Sequence, residues 1–213
     1  MDKRLIVALA TGAALLAACG GTKAGNAQNG SVAPLPTNAS AVPKAEAAPV
    51  AAGGITSAYT EIDLDRCQSL SADAESDSAS WRCPGYNDIP VFISSGDLRY
   101  DVDAGVDNQN FQTLPPFNDN PTRIEWRLRD GRPFAIIFRL RLATNEQTEW
   151  SASALGIATV GTAERPGCTI AWIDGNVPEA NAVAQRLADQ RAPNAQCAGG
   201  EPEMIHAGSV PTR

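Results

Sequence analysis

The chain has 213 residues, a formal net charge of −7 and one histidine; 43% of its residues are hydrophobic and 19% charged. So acidic a chain argues against nucleic acid as a partner. A lone histidine, His206, in a polar stretch near the end argues against a Ser-His-Asp or Cys-His centre, which needs an oriented imidazole.

The first residues divide into three parts. Lys3 and Arg4 make a positive start, Leu5 to Leu16 is an apolar run interrupted only by Thr11 and Gly12, and small residues lead to Cys19. This is the layout of an export signal. The run is too short for a permanent span, which needs roughly 20 residues. Leu16-Ala17-Ala18-Cys19 resembles the bacterial lipobox. That resemblance implies cleavage of a signal peptide, residues 1–18, and lipidation of Cys19. Each buried methylene contributes about 0.8 kcal/mol and stable anchoring takes at least two chains, so an acylated Cys19 would hold the protein on a membrane without a spanning helix. Gly20, where many bacteria use aspartate to retain lipoproteins in the inner membrane, favours the outer membrane. The expected location is the periplasmic side of the envelope.

Residues 19–54 follow as a lipidated cysteine and a tether. "GGTKAGNAQNGSVAPLPTNASAVPKAEAAPVAAGG" has no aromatic residue and is dominated by Ala, Gly, Pro, Ser and Asn. It has too little apolar surface to offset chain entropy. As a coil it would span roughly 30 Å. Residues 55–198 hold all four Trp, five Phe and three Tyr, enough for one domain with a core. Residues 199–213 read as a flexible tail.

Within the domain, strand patterns come first. "AYTEIDL" puts Ala58, Thr60, Ile62 and Leu64 on one face. "IPVFIS" is a short apolar run, and "LRYDVD" puts Leu98, Tyr100 and Val102 on one side. "DVDAGVDNQN" resembles a calcium loop only in its alternating oxygens; Gly105 is fifth rather than sixth and Gln112 replaces the closing Glu, so a strand running into a polar loop is the better account. "TLPPFNDNP" reads as a rigid exposed loop carrying Phe117. "RIEWRLRDGRPFAIIFRLRLA" is a hairpin about Asp130-Gly131. Its return strand sets Phe134, Ile136, Phe138, Leu140 and Leu142 against Arg139 and Arg141. "SALGIATV" and "CTIAWID" alternate little and are expected to be buried on both faces.

A helix is predicted from Pro178 to about Arg191, capped by Asn176. Its apolar stripe is Ala180, Val183, Ala184, Leu187 and Ala188, with Asn181, Gln185 and Asp189 facing water. The expected fold class is α+β, a curved antiparallel sheet or partial barrel with one C-terminal helix packed on it.

Cys67, Cys83, Cys168 and Cys197 form an even set, read as disulfides in an exported chain. Four cysteines allow three pairings. Cys67–Cys83 with Cys168–Cys197 is favoured because each closes a local loop, each contributing roughly 3–4 kcal/mol. No CxxC and no neighbouring histidine suits zinc, and no Gly-rich phosphate loop joins a strand to a helix. No metal or cofactor is expected.

The domain carries no lysine. Arg127, Arg129, Arg139 and Arg141 fall on one face of the hairpin, with Arg123 and Arg132 nearby. Arginine grips carboxylate or phosphate bidentately, so this face is a candidate for an anionic headgroup, a cell-wall peptide or an envelope protein. The alternative is a solvated face with cross-strand pairs, neutralised by Asp97, Asp101, Asp103 and Glu125.

"YTEIDLDRC", "WRCPGY", "GDLRY", "LPPFN", "EWRLRDGRPFAIIFR" and "CTIAWIDG" with "ANAVAQRLAD" resemble a group of uncharacterised exported bacterial proteins. That resemblance implies a shared fold unit and no particular activity. "SGDLRY" resembles the SGxxY motif of lysozyme-inhibitor lipoproteins, is one residue longer, and lacks the lysine-bearing partner motif. The functional expectation is a non-enzymatic, membrane-anchored binding or structural module. Alternatives are an inhibitor of a cell-wall hydrolase or protease, and a carboxylate hydrolase.

Overall fold

The computed structural model describes residues 54–73, 75–144, 149–197 and 200–207. Cys19 and the stretches expected to be an export signal and a tether, up to residue 53, lie outside the described residues. Among the described residues no helix is long and apolar enough to cross a membrane.

The strands are β1 (Ile55–Glu61), β2 (Gln68–Asp73), β3 (Ser78–Cys83), β4 (Val91–Gly96), β5 (Arg99–Ala104), β6 (Arg123–Arg129), β7 (Arg132–Leu142), β8 (Ala152–Thr159), β9 (Thr169–Asp174) and β10 (Glu203–Ile205); helix α1 is Ala180–Arg191. They form a large sheet, β1-β6-β7-β8-β9-β10, and a small sheet, β2-β3-β4-β5. Pairing is antiparallel except between β9 and β10. The α+β class is as expected, but two sheets replace one, and neither is closed into a barrel.

The layers follow from side-chain alternation. Ile124, Trp126, Ile136, Phe138 and Leu140 of the large sheet pack against Val91, Ile93 and Val102 of the small one. The opposite face of the large sheet presents Ala135, Ile137, Leu155, Ile157, Ala171 and Ile173 to α1, which answers with Ala180, Val183, Ala184 and Ala188. A mostly alanine stripe lets the helix axis lie close to the sheet. β8 and β9 are therefore covered on both sides, which is why their sequences lack alternation. Trp126 is fully buried, and its indole N–H donates to Thr60 Oγ1 at 3.0 Å.

The β6–β7 turn is the expected one, with Asp130 at φ 51° and Gly131 at φ 75°. A register shift between Arg127 and Leu128 then changes the alternation. Phe134, expected beside Ile136, packs instead with the helix-side cluster, because a bulge inserts one extra residue and turns the strand. Four other expectations change. Leu98 is exposed and sits in the β4–β5 turn at φ 55°. Helix α1 begins at Ala180, not Pro178, and Glu179 precedes it in a left-handed conformation with no side-chain cap. Asn176 donates its backbone N–H to Asp174 Oδ1 in a turn. Part of the expected tail forms β10, with Ile205 buried.

Cys67–Cys83 and Cys168–Cys197 are both bonded. The first ties the start of β2 to the end of β3; the second ties the start of β9 to the segment after α1. Gly156 in β8 lies where Phe138 and Trp172 meet edge to face; a Cβ there would come within 2.4 Å of Phe138 and 2.7 Å of Trp172. Gly156→Ala is expected to cost about 1–3 kcal/mol by overpacking, read as a lower urea midpoint. An unchanged midpoint would mean that the two rings can separate freely.

The small sheet's edge strand, β5, is sealed by the following loop. Tyr100 N–H donates to Asn118 Oδ1 at 2.8 Å, and Thr113 Oγ1 donates to Tyr100 C=O at 2.5 Å. An edge strand sealed in this way cannot pair with another chain. Phe117, in the loop expected to be exposed, is itself half-buried, and its carbonyl accepts from Ala143 N–H at 2.8 Å.

Candidate functional site

The four arginines do not form one open face. Helix α1 stands over the middle of it, and its side row Asn181, Gln185 and Asp189 hydrogen-bonds to the sheet, with Gln185 and Asp189 half-buried and Asn181 exposed as expected. These positions follow i, i+4, i+8 spacing and so lie one above another. Asp189 accepts from Arg127 through both oxygens, Nε–Oδ1 2.8 Å and Nη2–Oδ2 2.6 Å. Arg127 also donates to Ser57 Oγ, and its side chain is only 9% exposed. Burial weakens its charged form, but Asp189 and Glu125 more than offset this and hold its pKa above the ordinary value. Arg127 therefore belongs to the interior of the domain.

The other three arginines are exposed and separate. Arg129 lies over the Phe134 ring at 5.1 Å, beside the hairpin turn. Arg141 pairs with Asp119 and lies 5.8 Å from the centre of the Trp150 ring. Arg139 donates to Ser153 Oγ at 2.8 Å and Asn181 Oδ1 at 3.0 Å. Both partners of Arg139 are neutral, and among the described residues no carboxylate pairs with it.

The acidic residues expected to neutralise the arginines divide likewise. Glu125 does so, at 3.4 Å from Arg127. Asp97 pairs with Arg99 at 2.5 Å. Asp101 and Asp103 lie in the other sheet and are buried, 5% and 6% exposed. Asn108 folds back over Asp103, giving it its backbone N–H and side-chain amide at 3.1 and 2.8 Å. Among the described residues no group of three or more His, Cys, Asp or Glu side chains is arranged to hold a metal. His206 is exposed, with Nδ1 4.0 Å from Asp174.

What the fold does build is a groove of about 570 Å³ between α1 and the β1 edge of the large sheet. Its floor is apolar, including Ile137 and Leu155, and its walls carry Tyr59 and Arg123 on one side and Asn181 and Gln185 on the other. Arg123 stacks on Tyr59 at 4.2 Å, fixing the aromatic wall. Glu125 and Arg139 reach in from neighbouring strands. Glu125 Oε1 accepts from Ser57 Oγ at 2.5 Å, Gln185 Nε2 at 2.8 Å and Arg127 Nη1 at 3.4 Å. All three donors use the same oxygen. Among the described residues nothing donates to Oε2, and that oxygen is not among the buried unpartnered atoms, so it opens into the groove.

A few fixed polar groups around an apolar floor, in a volume within the usual range of small-molecule sites, is the composition of a binding cleft. A second cleft, about 670 Å³, lies at the other end of the sheet among Pro90, Val106, Pro133, Phe134 and Pro193. Asp88, Thr159, Thr162 and Arg165 also line it, fewer polar side chains than the groove beside α1 carries. Of these groove residues the sequence pattern marked Arg139 as a binding candidate and Glu125 only as a neutralising partner, and it did not mark Ser57, Tyr59 or Gln185. The signal was the polar row at 181, 185 and 189 flanking an alanine stripe. No protein-family model, curated protein or solved structure matches this chain.

Proposed function

We propose that this chain is a lipid-anchored protein of the bacterial envelope, exported by its first 18 residues, acylated at Cys19, and carrying an α+β domain that acts as a non-enzymatic binding module. The observation that carries the reading is the pair of disulfides, Cys67–Cys83 and Cys168–Cys197. Structural disulfides of this kind persist in oxidising compartments outside the cytosol, which is where the Leu16-Ala17-Ala18-Cys19 signal would deliver the chain. Gly20 favours the outer membrane, with the domain on the periplasmic side. The groove beside α1 supports a binding role, since its polar groups are held in place by hydrogen bonds before any ligand arrives.

The test is Cys19→Ser. The natural chain is expected to partition with membranes and to incorporate labelled palmitate. The variant is expected to lose the label, to leave the membrane fraction, and to retain an uncut leader. A natural chain that takes up no palmitate, or a variant that remains membrane-bound, overturns the anchor.

A further inference from the structure

Resting on the reading of the domain as a binding module, the geometry points to a specific ligand class for the groove beside α1: a small zwitterion, a free amino acid or short peptide, with its ammonium on Glu125 Oε2 and its carboxylate on Arg139. The two poles are fixed independently. Glu125 has one oxygen saturated by three donors and the other open to the groove, so an incoming N–H donor meets an acceptor already oriented. Arg139 keeps a positive charge matched only by the neutral Ser153 and Asn181, and its guanidinium offers a fork suited to a carboxylate.

Their spacing follows from the register. Glu125 stands opposite Ile137, and Arg139 is two residues further along the same face. Diagonal neighbours of this kind have Cβ atoms about 7–8 Å apart. The two side chains can therefore contact opposite ends of one amino acid or dipeptide. A ligand of one charge alone would satisfy one pole and leave the other exposed. The apolar floor at Ile137 and Leu155 and the Tyr59 ring give a ligand side chain a surface to cover, and about 570 Å³ leaves room for more than one residue. Arg123, stacked on Tyr59 and only loosely paired with Glu61 at 3.3 Å, is a second donor at the carboxylate end.

The experiment is calorimetric titration of the full chain in detergent with the dipeptide Ala-Ala, N-acetyl-Ala-Ala and Ala-Ala-amide. Ala-Ala is expected to bind, and blocking either end to weaken binding about tenfold or more, the worth of one charge-assisted contact. Arg139→Gln, at an exposed position, is expected to weaken Ala-Ala about as much as amidation does, and to change Ala-Ala-amide little. Arg139→Lys should restore part of the loss. Circular dichroism of the variants checks that the fold is intact. Absence of Ala-Ala binding at millimolar concentration overturns the inference, as does equal binding of blocked and free peptides. Failure here with palmitate labelling intact removes the ligand class and leaves the envelope anchor standing; the converse result removes the anchor alone.

Discussion

The domain is expected to lose stability as pH rises from about 4 to about 8, against the usual behaviour of paired carboxylates. The cause is Asp101 and Asp103. Burial pushes Asp101 up to about 8, helped by the neighbouring charge of Asp103, while hydrogen bonds from the Val102 and Gln112 backbone pull the other way. Burial pushes Asp103 up to about 7, opposed by the Asn108 backbone N–H and reinforced by Asp107. In the unfolded chain both would titrate near 3.8. Between these limits the folded state holds protons that the unfolded state has released, so the slope of stability against pH is negative. Their contribution is fully present below about 4 and is lost as pH rises through the folded values. One pKa unit corresponds to about 1.4 kcal/mol, so the two carboxyls together are worth several kcal/mol across this range. Asp101→Asn keeps the shape and removes the titration of Asp101, leaving that of Asp103. Urea midpoints measured near pH 5 and pH 8.5 should fall for the natural chain and fall by clearly less for this variant, with the variant the more stable at the higher pH. Parallel profiles would mean that Asp101 is ionised in the folded protein at neutral pH.

Arg127→Met is expected to remove about 3–5 kcal/mol, because it strands two carboxylates beneath α1. Asp189 would lose both of its close donors and Glu125 one of three. Replacing the pair together, Arg127→Met with Asp189→Leu, should recover much of that loss, since the desolvation cost disappears with the charges. Denaturant unfolding of the two single variants and the double gives the coupling directly. A cost below about 1 kcal/mol for Arg127→Met would make this contact no more than a surface ion pair. The same result would return Arg127 to the list of groups available for binding.

Elements with a strong period were legible in the sequence. The β6–β7 hairpin follows from strict alternation about Asp130-Gly131, the coverage of β8 and β9 from the lack of alternation, and the α1 stripe from its 3.6-residue repeat. The local disulfide pairing follows from spacing. The β2–β3 ribbon was not legible. β2 is exposed along its whole length and β3 is rich in serine and alanine, so neither strand carries an apolar rhythm; backbone pairing and the Cys67–Cys83 bond hold them. β10 escaped notice because three residues carry no period at all.

The site failed at a different level. Alternation placed Arg127, Arg129, Arg139 and Arg141 on one face, but what covers a face is tertiary information. The helix crosses at Arg127 and leaves Arg139 open. Asp101 and Asp103 likewise read as solvent-facing, but the loop that follows β5 returns to them, with the Gln112 backbone on Asp101 and Asn108 on Asp103.

Strand β1 gives the domain a polarity. Ile55, where the described chain enters, pairs with Arg129 beside the hairpin turn, whereas Glu61 at the far end pairs with Arg123 on the groove wall. Seven residues of strand separate the two by about 20 Å. The groove beside α1 therefore opens near the end of β1 opposite the one where the described chain enters. A pull applied at Ile55 would be carried by a strand hydrogen-bonded along its whole length before it reached the groove, so the groove's wall is buffered from whatever happens at the entry of the domain.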